Sequence, residues 1–100
     1  MVDIVHHFIA GTYSKEMRFA AGEAMGKHVH QHDHQSVLAV GHARLTVDGV
    51  ASDIHAPMLV TITAGKTHVL EAVTDVVWFC THQTDETDPD NIDETLIKEH

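Results

Sequence analysis

The stretch GEAMGKHVHQHDHQSVLAVG, Gly22 to Gly41, decides how this chain is read. His28, His30, His32 and His34 stand at every second position, four of the eleven histidines in 100 residues. Side chains at i and i+2 of a strand share a face, so His28 and His30 present two imidazoles to one side, about 6–7 Å apart at the backbone. That suits two ligands of one ion with metal–nitrogen bonds of about 2.0–2.1 Å. On a straight strand His28 and His34 would lie about 20 Å apart, beyond the roughly 12 Å that two imidazoles bridge around a common metal. The reading therefore places a reversal at Gln31-His32-Asp33, because Asp tolerates turns and hydrogen-bonds its own backbone. His34 then swings back toward His28 and His30, and His32 at the apex faces solvent. A further ligand must come from a distant part of the chain. His68 follows the turn TAGK and opens a strand; His42, His55 and His82 are alternatives on alternation grounds; His6, His7 and His100 lie near the termini.

Outward from this stretch the periodicity is that of strands. DIVHHFI (3–9) reads as an edge strand, and SKEMRFAA (14–21) sets Met17 and Phe19 against Glu16 and Arg18. AGEAMG interrupts with two glycines, and SVLAVGHARLTV (36–47) is β-rich around Gly41. The Asp-Gly pair of VDGV (47–50) is the strongest short hairpin signal. VASDIHA (50–56), MLVTIT (58–63), THVLEAV (67–73) and VVWFCTH (76–82) follow, punctuated by Pro57, Ala64-Gly65-Lys66 and Thr74-Asp75. About eight short strands at this spacing predict an all-β sandwich or barrel, with no room for βαβ crossovers. In DPDNIDETLIKEH (88–100), Asp88 offers an N-cap and Pro89 a first helical position. A short helix or a frayed tail is expected there, covering a sheet edge or a partner subunit.

One hundred residues make one domain. The expected division is a β-domain over 1–82 and an acidic tail over 83–100. The net charge is −9, and the tail carries seven acids against one base, Lys98, so the body is only mildly acidic. No basic patch exists, which argues against a nucleic-acid partner. No apolar run approaches membrane-spanning length, and no basic segment leads into a long apolar run as a signal peptide would. A single cysteine, Cys80, excludes an intrachain disulfide and fits a reducing, cytoplasmic setting.

The spacing from Gly22 to Gly41 resembles the first motif of the cupins: Gly, five residues, His-x-His, three or four residues, Glu, six residues, Gly. Gly22, His28, His30 and Gly41 fall in place, and His34 stands where the family carries glutamate. PMLVTITAGKTHVLEA (57–72) meets the second motif in part. Gly65 and His68 match, while Pro57, Thr63 and Ala72 replace the expected glycine, proline and asparagine. Fifteen residues (42–56) separate the motifs, near the short end for the family. The resemblance covers roughly residues 15–82. It implies a single-domain, jelly-roll-like antiparallel β-barrel of six to eight strands, with one divalent transition metal held in its mouth by His28, His30, His34 and His68. The all-histidine set looks like that of small bacterial cupins with four-histidine centres. Related cupins include dioxygenases, isomerases, epimerases and simple binding modules, and the fold does not choose among them.

Four neutral imidazoles leave a divalent ion with its full +2 charge where three His and a Glu leave +1, so an anionic ligand is favoured. Imidazole suits Zn, Cu, Fe and Ni, and Mn prefers more oxygen ligands. Four ligands close a tetrahedral site or leave two cis positions of an octahedron. With a spacer of four, Gln35 is the alternative to His34. The expected pocket lining is Met17, Phe19, Met25, Leu38 and Leu70, with one set from the last strand. A three-residue link before that strand turns Trp78 and Cys80 inward; a two-residue link turns in Val77, Phe79 and Thr81. Alignment with similar four-histidine cupins favours Trp78 and Cys80. Glu71 faces away and Glu23 lies in a loop, so a general base besides the ligands is lacking, and Arg18 and Lys66 are the candidate cations for a substrate anion at the mouth. Two functions follow: a metal-dependent dioxygenase cleaving a small organic molecule, or a non-catalytic cupin that binds or senses a small ligand or metal. A homodimer is expected, since sheet edges need covering, with strand 3–9 a candidate for exchange between subunits.

Overall fold

The computed structural model describes residues 2–30, 32–83 and 97–98, with the backbone alone for Lys27, His28, His30, Gln83, Ile97 and Lys98. The strands are β1 (Asp3–Ile9), β2 (Thr12–Phe19), β3 (Ala24–His30), β4 (His34–Val40), β5 (His42–Val47), β6 (Val50–His55), β7 (Met58–Ile62), β8 (Thr67–Ala72), β9 (Val76–Gln83) and β10 (Ile97–Lys98). They form two antiparallel five-stranded sheets, ordered β1-β2-β9-β4-β7 and β10-β3-β8-β5-β6. Among the described residues the two sheets are hydrogen-bonded separately, the two-sheet form of the jelly-roll-like, all-β antiparallel fold that was expected.

Among the described residues only two connections stay within a sheet, and both are two-residue hairpins. Asp48 (φ 47°) and Gly49 (φ 84°) join β5 to β6, the paired positive φ that an Asp-Gly turn supplies. Ala10 (φ 53°) and Gly11 (φ 70°) do the same between β1 and β2. That turn carries weaker sequence chemistry, which is why β2 begins two residues before the expected Ser14. Every other connection from β2 to β9 carries the chain from one sheet to the other. At Gly41 (φ 96°) the crossing is tight: a Cβ there would collide with the Asp75 carbonyl. The β-rich run 36–47 is therefore two strands in different sheets.

Of the two glycines in AGEAMG, Gly22 sits in a turn at φ 88° and Gly26 lies within β3. Its ladder with β8 slips between Met25 and His28, around Gly26, the kind of place a bulge occupies. The acidic tail was expected to be helical or frayed. Its described residues, Ile97 and Lys98, are extended and pair with His30 and Val29 at the edge of β3; the remainder of that expectation lies outside the described residues.

Met17, Phe19, Leu38, Ile62, Val76, Trp78 and Cys80 from the first sheet meet Ala43, Leu45, Ile54, Leu70 and Ala72 from the second in one core. Each large side chain removed from water there contributes about 1.5–3 kcal/mol. The β8–β9 link is Val73-Thr74-Asp75, three residues long, and Trp78 and Cys80 are buried.

Candidate metal centre

Inward positions of β4 and β9 form layers. Leu38 lies opposite Trp78, and Ser36 opposite Cys80. One step further, past the Gln35–Thr81 pair that ends this ladder, the rings of His34 and His82 come together. The interior thus changes from apolar to polar toward one end of the sandwich. Cys80 marks the transition: its Sγ accepts from Trp78 Nε1–H at 3.1 Å and from the Ser36 hydroxyl at 3.5 Å. On the facing sheet the same progression runs from Ala72 through Leu70 to His68 along β8.

The structure brings His34 and His68 to this end from opposite sheets, with 7% and 2% of their surface exposed. His28 lies directly across the ladder from His68, where opposed Cβ atoms are about 4.5–5.5 Å apart. His30 ends β3, one residue past the Val29–Thr67 pair that closes the ladder with β8, and its backbone pairs with Ile97 on the other side. Gln35 is exposed and turned outward, as is His32. The reversal is anchored differently from the expectation. The Asp33 carboxylate accepts the Ala64 N–H at 2.7 Å, tying the segment before His34 to the turn before His68 instead of bonding its own backbone.

Burial is the main cause that holds His34 well below the usual imidazole range, at about 3; the neighbouring His82 and, more weakly, His68 push the same way. The backbone at His32 and the Asp33 carboxylate oppose the shift. Burial likewise lowers His68, with the Lys66 backbone and Asp48 opposing. Both imidazoles are neutral near pH 7, the form a metal requires. Nδ1 of His68 is buried and has no hydrogen-bond partner among the described residues, a costly arrangement for a polar atom that a metal ion would relieve. An all-imidazole donor set with such an atom fits a divalent transition metal. Among the described residues, no three His, Cys, Asp or Glu side chains already stand around one point; the side chains of His28 and His30 are outside that description.

Of the seven expected pocket residues, Met17, Phe19, Leu38, Leu70, Trp78 and Cys80 fill the core between the sheets, and Met25 packs against it half-buried. Arg18 is engaged elsewhere: its Nε–H donates to Glu16 at 2.6 Å on the outer face, where His7 bonds the same carboxylate at 3.0 Å. His42 and His55 also lie on an outer face, stacked across β5 and β6 with centroids 4.1 Å apart, and His42 Nε2–H donates to Asp53 at 3.1 Å. Of the alternatives, only His82 joins the polar end, its ring centroid 4.1 Å from that of His34. Tyr13, which sequence reasoning missed, lies beyond it. Tyr13 is opposite His82 in the β2–β9 ladder, stacks on it at 6.3 Å, and its hydroxyl shares a 2.6 Å hydrogen bond with His6 Nδ1. The signal was available only as alternation from Phe19 and Met17 back through β2.

No family model matches the chain, and no curated protein does. Solved structures do. A cupin superfamily protein from Desulfitobacterium hafniense superposes with a TM-score of 0.75 at 17% identity, covering 85% of this chain and 79% of that one. A conserved protein of unknown function from Streptococcus pyogenes gives 0.73 at 17% identity, over 87% and 77%. Salicylate 1,2-dioxygenase from Pseudoaminobacter salicylatoxidans, solved with gentisate, gives 0.75 at 11% identity; 94% of this chain covers 26% of that enzyme. The fold is that of the cupins. Among the described residues no helix is long and apolar enough to cross a membrane.

Proposed function

We propose that this chain is a metal-binding cupin in which His28, His30, His34 and His68 hold one divalent transition metal at the polar end of the sandwich. The observation that carries the reading is the burial of His34 and His68 as neutral imidazoles from opposite sheets, with His28 directly across the ladder from His68. The outward turn of Gln35 supports His34 as the residue in the glutamate position. Bound there, the metal supplies a Lewis acid and a template for a small anionic ligand. The chain's own residues exclude water from one side: Trp78, Leu38 and Leu70 floor the site, with Ser36 and Cys80 between them and the histidines. An open cleft lined by Thr12, His32, Asp33, His34, Gln35, Thr81 and His82 gives a small molecule access.

The finer reading is a dioxygenase cleaving a small organic molecule in a reducing, cytoplasmic setting, in line with the dioxygenase among the similar folds. Elemental analysis of the purified protein, followed by oxygen uptake with diketones and aromatic alkenes, tests it. Metal at one ion per chain with substrate-dependent uptake supports the enzyme. Metal without uptake supports a cupin that binds or senses a ligand, and absence of stoichiometric metal after reconstitution sinks both.

A homodimer belongs to the same reading. Within one chain β1 is paired to β2 over all seven residues, so the contact assigned here is the outer face of the first sheet. Val5, Glu16, Phe79, Val37 and Leu59 form one cross-strand row there, and Leu59 is 67% exposed. Light scattering of the wild type and of Leu59→Glu tests this; a monomeric wild type overturns it.

A further inference from the structure

The inference rests on the metal-binding reading above and extends its donor set. We propose that His82 is a further ligand of the same ion, added to the four histidines of the two sequence motifs. Its ring stands beside that of His34, just past the end of the β4–β9 ladder, with centroids 4.1 Å apart and planes tilted by 36°. For metal–nitrogen bonds of 2.0–2.1 Å, two imidazoles at right angles on one ion have centroids about 4.5 Å apart, and two at the tetrahedral angle about 5.2 Å. The observed separation lies close to the right-angled case, so the two rings stand near enough to share one ion.

Separation by itself selects nothing, because the exposed His42–His55 pair has the same 4.1 Å. Position does. His82 is 8% exposed and points between the sheets, toward the end where His68 carries a buried ring nitrogen without a hydrogen-bond partner among the described residues. Beyond it, Tyr13 stacks on the face of the ring and is itself fixed by the hydrogen bond to His6 and by Phe8 at 5.1 Å. Stacking against a fixed ring restricts how the imidazole turns.

The ligand count changes what the centre does. Four imidazoles leave two positions of an octahedron and five leave one, so one small ligand at a time reaches the ion, and a second reactant must be held by the protein.

The full chain is reconstituted with Cu(II) and its imidazole ligands are counted by electron spin-echo modulation, with Co(II) affinity read by chelator competition. The variants are His82→Phe, which keeps a ring against Tyr13 but has no nitrogen, and His34→Phe. His82→Gln serves in the same way where the Phe variant fails to fold by circular dichroism. The inference expects His82→Phe to lose one imidazole signal and to weaken Co(II) by more than the roughly 10–100-fold that outer partners of a site contribute. An unchanged imidazole count and Co(II) affinity in folded His82→Phe, beside a loss in His34→Phe, overturns it and leaves the four-histidine reading standing. No change in either variant removes both.

Discussion

Two histidine pairs in this molecule have the same separation and opposite characters. His34–His82 and His42–His55 both join neighbouring antiparallel strands, and both have ring centroids 4.1 Å apart. The first faces inward, where burial holds His34 neutral down to about pH 3. The second faces outward, and His42 hydrogen-bonds the exposed Asp53 carboxylate. Cross-strand geometry brings two imidazoles together in either place. The face of the sheet decides whether they are buried between the sheets or lie on the outside beside a carboxylate.

The largest effect that would break this comparison is on metal affinity. Combined His34→Ala and His68→Ala is expected to abolish stoichiometric binding of Co(II) or Zn(II) in calorimetry, whereas combined His42→Ala and His55→Ala leaves it at the wild-type value. Equal losses from both would show that burial does not select the site. Next comes the layer beneath the buried pair. Leu38→Ala empties a fully buried position and should cost about 2–5 kcal/mol in urea unfolding; a cost under about 1 kcal/mol would mean the polar end is not seated on a packed floor.

Acid sharpens the comparison further. A histidine whose folded-state value is depressed favours the unfolded state once that state begins to protonate, near 6.5. The metal-free protein should therefore hold its full contribution from His34 and His68 above that pH. It should lose it progressively as pH falls toward 3, the folded value of His34. A thermal midpoint that is flat from pH 7 to 4 for the wild type, or equally sloped in His34→Phe, would contradict this. The smallest effect belongs to the exposed pair: Asp53→Asn should change stability by at most about 0.2–1 kcal/mol, as solvent-exposed ion pairs do.

Strand positions were legible because alternation and turn chemistry are local. The Asp48-Gly49 hairpin, the buried Met17 and Phe19, and the inward Leu70 follow from residues within a few positions of one another. The Ala10-Gly11 hairpin was not legible, since Ala is an unusual residue at positive φ. His82 stood in the sequence beside His42 and His55 with the same claim on alternation grounds. What separates it from them is the pairing of β9 with β4, a contact between distant segments that local pattern does not encode.

The sequence by itself determined an all-β chain, the His-x-His spacing and the cupin-like order of its motifs, because period-two alternation and turn residues act over short range. Tertiary structure decided which sheet each strand joined. It decided that His34 at the start of β4 and His68 in β8 are both buried, in opposite sheets, and that one of three otherwise similar histidines enters the polar end. Those outcomes depend on which face of each strand is removed from water, and that is settled only when the two sheets close on each other.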